Sequence, residues 1–121
     1  MHKSSDFELS FLERLAKDNP NFVDALIPLA EAYTHKGLYE KGLEIDKQLA
    51  KLRGKDPVVQ YNLACSFALV GKKDEAFLTL KRAIQFGYTD FEHMEHDSDL
   101  KNLREDPRFK TLTSVKKQPK V

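Results

Sequence analysis

The chain has 121 residues, 40% hydrophobic and 32% charged, enough for one ordinary domain and too few for two independent cores. Twenty Lys and Arg against nineteen Asp and Glu leave a formal charge of +1, which supplies no field to hold nucleic acid or an anionic membrane. The start, MHKSSDFELS, lacks the apolar run of a signal peptide, no stretch approaches the ~20 apolar residues of a membrane span, and a single cysteine excludes an internal disulfide, so a soluble cytoplasmic protein is expected.

Apolar residues recur at helical spacing along most of the chain, and the first expected helix covers residues 6 to 17. A second follows at 22 to 36. Pro28 inside it removes a backbone donor and either kinks the helix or delays its start to near Asp24. Gly37 is suited to the positive φ that stops this helix, and a third runs from 39 to 53. The pattern repeats with a fourth helix at 57 to 70, a stop at Gly71 and a fifth helix at 73 to 86. Beyond Phe86 the pattern changes to a closing segment. Asp97 or Ser98 caps a short helix holding Leu100 and Leu103, Pro107 opens the last helix with Phe109 and Leu112 inward, and residues 116 to 121 form a frayed basic tail.

Shifting the chain by 34 residues brings Leu29, Ala30, Tyr33, Gly37, Gly42, Leu43 and Leu52 onto Leu63, Ala64, Phe67, Gly71, Ala76, Phe77 and Phe86. Small residues let antiparallel helices approach, Ala30 against Gly42 and Ala64 against Ala76, while their bulky neighbours fill the space alongside. This order resembles the tetratricopeptide repeat. The resemblance implies an all-α fold: a short right-handed α-solenoid of antiparallel helix pairs with a helical C-terminal cap. It divides the chain into a half repeat at 1–20, repeat 1 at 21–54, repeat 2 at 55–88, and a cap and tail at 89–121, the last similar to the closing segment of bacterial members. The chain departs from the pattern at Asp46, where Leu or an aromatic is usual, and at Gly54, where proline is usual.

The resemblance further implies a concave groove lined by the first helix of each repeat. Its wall would comprise Asp24, Ile27, Glu31, Thr34 and His35 from repeat 1, and Val58, Tyr61, Asn62, Cys65 and Leu69 from repeat 2, with Glu92 and Glu95 of the cap adding negative charge. Asn62 stands where members that clamp a peptide's terminal carboxylate place an asparagine. Ile27, Glu31, Glu92 and His96 replace the remaining clamp residues, which argues against a carboxylate-ended ligand. The mixture of apolar floor and carboxylates suits a partner segment carrying Lys or Arg beside one or two large apolar residues.

No phosphate loop, cysteine pair or nucleophile with a positioned base occurs, so a non-catalytic protein-binding module without cofactor or metal is expected. Two alternatives remain. One is a self-associating assembly subunit built on Phe7, Phe11, Leu12 and Leu15, against which Glu8 argues, so a monomer is expected over a homodimer. The other is a metal-dependent enzyme or sensor using His93 and His96, three residues apart in DFEHMEHDSD.

Overall fold

The computed structural model describes the backbone of residues 3–114 and the side chains of residues 6–114, so the basic tail lies outside the described residues. The protein is all-α, with no strand among the described residues, and divides into two compact units, Met1–Gly54 and Lys55–Val121. The first contains α1 (Lys3–Asp18), α2 (Val23–His35) and α3 (Tyr39–Leu52). The second contains α4 (Pro57–Leu69), α5 (Lys73–Gln85), α6 (Phe91–His96), a 3-10 helix (Ser98–Leu103) and α7 (Pro107–Thr113). Within each unit consecutive helices pack on their neighbours: α1 on α2 and α2 on α3, then α4 on α5.

In the first unit, Ala25, Leu26, Leu29, Ala30 and Tyr33 form the buried stripe of α2, met by Leu43 and Leu49 of α3. The helices approach closely at Gly42, where an added Cβ would lie 3.1 Å from Thr34 Oγ1 and 3.6 Å from the Ala30 carbonyl oxygen. α2 begins at Val23 and continues through Pro28, so the Asp24 carbonyl forgoes the donor that residue 28 would otherwise supply. Helix α1 is tied on by Tyr33 Oη donating to Glu13 Oε2 at 2.5 Å and by the Lys36–Asp6 ion pair. At Gly54, an added Cβ would come within 2.9 Å of the Ala50 carbonyl oxygen, which accounts for a residue without a side chain at that turn.

Gly37 and Gly71 adopt φ of +78° and +85°. At the first, Leu38 N donates to Tyr33 O and Gly37 N to Thr34 O; at the second, Lys72 N donates to Phe67 O and Gly71 N to Ala68 O. These paired bonds satisfy carbonyls that a helix end leaves open. The same device closes α5, where Tyr88 N donates to Ala83 O and Gly87 N to Ile84 O. That third stop is out of phase with the period.

In the second unit, Asp56 caps α4 by accepting from Val58 N at 2.9 Å, with Pro57 in the first turn. One apolar cluster joins Ala64, Ala68, Ala76, Phe77, Leu80 and Ala83 to Met94, Leu100, Leu103 and Phe109 of the closing segment. Asp97 caps the short helix, which is 3-10, and Asp106 caps α7. Arg108 reaches back from α7 to Asp74 at 2.8 Å and lies over the Phe77 ring, fastening α7 to α5.

Candidate partner-binding surfaces

The side of α2 left uncovered by α1 and α3 presents Asp24, Ile27, Glu31 and His35 to solvent. Thr34 is half-buried, its hydroxyl donating to the Ala30 carbonyl at 3.1 Å. Glu31 and His35 line a hollow of about 590 Å³ with Pro28 and with Glu8, Phe11 and Leu12 of α1. Asp24 and Ile27 stand outside it on the same helix.

On α4, Val58 is 54% exposed and Asn62 half-buried, and both line a second hollow of about 450 Å³. Its other edge is built by Gly87, Tyr88, Thr89, Asp90 and His93. Tyr61 forms the floor and is 3% exposed; Cys65 is 6% exposed. Both are therefore covered, unlike the accessible wall residues expected of them. The cover is specific. The Tyr88 ring stacks on the Tyr61 ring with centroids 4.2 Å apart and planes 2° apart, and Tyr61 Oη donates to Asp97 Oδ2 at 2.7 Å. Leu69, half-buried, lines a separate hollow with Ser98, Lys101 and Asn102. Glu92 is exposed and Glu95 half-buried.

Asp97 is the polar centre of this unit. Its Oδ1 accepts from Asp99 N at 3.0 Å, while Oδ2 receives the Tyr61 hydroxyl, the Cys65 thiol at 3.8 Å and lies 3.1 Å from His93 Nε2. Arg104 Nη1 donates to the Asp97 carbonyl at 2.9 Å. Burial pushes the Tyr61 phenol well above the usual tyrosine range, reinforced by the anionic side of the cluster, and burial pushes Tyr88 up to about 12. Burial, and then the neighbouring Asp97, raise Asp99. Sequence reasoning found Asp97 as a cap but missed Tyr88 and Asp90. The available signal was Gly87: a positive-φ stop is commonly followed by an apolar residue folded back on the helix, which is what Tyr88 does.

The two histidines take different partners, His93 turning to Asp97 and His96 Nδ1 lying 2.9 Å from the Glu92 carbonyl oxygen. Among the described residues, the ligand atoms that come together are those of Cys65, Asp97 and Asp99, within 4.8 Å of one another. No helix of the described residues is long and apolar enough to cross a membrane. No family model matches the chain, and no curated protein sequence matches it.

Proposed function

We propose that the chain is a non-catalytic cytoplasmic interaction module of the tetratricopeptide-repeat kind, which takes a partner segment carrying Lys or Arg beside large apolar residues. The observation that supports this reading best is the hollow on α4. An exposed Val58 and the half-buried Tyr88 provide apolar area, Asn62 offers an amide to a peptide backbone, and Asp90 places a carboxylate at the rim. The open side of α2 repeats that chemistry with Ile27, Asp24 and Glu31. Apolar burial supplies affinity, and carboxylates steer a basic segment inward and select it.

Random-peptide display on the purified protein tests the proposal. Enrichment of peptides pairing Lys or Arg with Leu or Phe is expected. Glu31→Lys should then slow association and flatten its salt dependence for ligands of the α2 surface, while Val58→Asp should speed dissociation from the α4 hollow. Enrichment of acidic peptides, or binding indifferent to both substitutions, contradicts it.

A further inference from the structure

The hollow between α1 and α2 combines half-buried Leu12 and Pro28 with a Phe11 side chain that is 51% exposed and with two exposed carboxylates. One carboxylate comes from each helix, Glu8 from α1 and Glu31 from α2. Among the described residues, neither has a hydrogen bond or an ion pair. Lys36 also lines the hollow, but its ammonium is already taken by Asp6. The hollow therefore holds two negative charges that its own lysine does not offset.

The second unit shows what such groups hold. There the Arg108 guanidinium lies 4.4 Å from the centroid of the Phe77 ring, with Nη1 2.8 Å from Asp74 and Nη2 2.9 Å from Asp106. One phenylalanine ring and two carboxylates together engage an arginine. The α1–α2 hollow carries the same three groups, with its one lysine spoken for. We infer that it is a receptor for one arginine side chain of a partner segment, the guanidinium lying on the Phe11 ring between Glu8 and Glu31. A planar guanidinium can donate to two carboxylates at once while stacking on a ring, whereas a lysine ammonium is a compact, strongly hydrated point charge. The arginine stem and a large apolar neighbour in the same segment would cover Leu12 and Pro28. This inference rests on the reading of the chain as a module for basic and apolar segments and narrows it in two ways: arginine is preferred over lysine, and α1 supplies half of the site.

Two blocked tripeptides, acetyl-Leu-Arg-Leu-amide and acetyl-Leu-Lys-Leu-amide, test it when titrated into the full chain at low salt with amide chemical shifts as the readout. The arginine peptide should give saturable changes at Glu8, Phe11, Glu31 and Ala32, and the lysine peptide should bind there about two- to five-fold more weakly. Glu8→Gln and Glu31→Gln should each weaken the arginine peptide by about two- to five-fold. Phe11→Leu keeps an apolar side chain but removes the ring, so it should erase the preference for arginine. All three side chains are exposed, so the circular-dichroism melts should stay unchanged. Changes confined to Val58, Asn62 and Tyr88 overturn this inference while supporting the wider reading, and an absence of change at both hollows overturns the two together. Equal binding of the two peptides, or a Phe11→Leu chain that still prefers arginine, overturns the guanidinium assignment.

Discussion

Helices α2 and α4 occupy the same place in the 34-residue period, yet α2 keeps one side open and α4 is almost wholly enclosed. On α2 the buried positions form one stripe of five residues, and Asp24, Ile27, Glu31 and His35 face solvent. On α4, Val59, Gln60, Tyr61 and the run from Leu63 to Ser66 are all buried, and of these Tyr61, Ala64 and Cys65 belong to the cluster that α4 shares with α5 and the closing segment. The burial of Tyr61 and Cys65 is therefore decided less by the periodicity of α4 than by what the following chain lays over them. α4 has the apolar and small residues to accept that cover, and α2 keeps the charges that refuse it.

Substitutions can break this contrast. The largest effect is expected at Leu80, fully buried at the junction of α5 with the closing segment: Leu80→Ala should cost about 2 to 5 kcal/mol in a denaturant melt. Its counterpart one period earlier is the buried carboxylate Asp46, so the two units do not fill this position alike. Next, Ala64→Leu should cost about 1 to 3 kcal/mol by overpacking, since Ala64 has no exposed surface. Leu78→Ala, at a side chain 53% exposed, should stay within about 0.5 kcal/mol. Equal shifts would mean that the facing of α4 and α5 is misjudged.

A smaller effect separates the two helices by pH. Tyr33 is pushed up to about 12, chiefly by burial and then by Glu13, while the Tyr61 phenol is raised further, chiefly by burial. A group that holds its proton more tightly when folded contributes stability that is full below the unfolded tyrosine pKa of about 10 and is lost as pH rises above it. The stability contributed by Tyr33 should thus disappear between pH about 10 and about 12, and Tyr61 should extend the loss to higher pH. Urea melts across this range should show the decline reduced more by Tyr61→Phe than by Tyr33→Phe; the reverse order would show that the cover over α4 is loose. Equal effects are expected where the helices are alike. Gly37→Ala and Gly71→Ala meet open space but force a side chain into positive φ, so each should cost about 1 to 2 kcal/mol, and by the same amount.

The parts of this fold that were legible in the sequence are those carried by local chemistry. Gly37 and Gly71 announced their helix ends, the pairing of small residues with bulky neighbours announced the close approach at Gly42, and Asp97, Pro107 and Phe109 announced the closing helices. What escaped reading depends on contacts distant in the chain. Tyr61 sits where a wall residue is expected, and only the return of Tyr88 and Asp97 to α4 turns it into a floor. Cys65 is buried with it beside the same carboxylate. Tyr88 lies past the point where the period fails, so no register predicted its role. The outward turn of Phe7 and Phe11 was equally hidden, because which side of α1 meets α2 is settled by Glu13, Asp6 and their partners.

The most direct test of the open-sided α2 and covered α4 is to map, by amide chemical-shift changes, where a display-selected basic and apolar peptide contacts the protein. The account predicts changes at Asp24, Ile27 and Glu31 along α2 and, on α4, only at Val58 and Asn62 with Tyr88 and His93 across the hollow, leaving Cys65 and Leu100 undisturbed. Changes confined to α1, or spread through Cys65 and Leu100 as the cover lifts from α4, would contradict it.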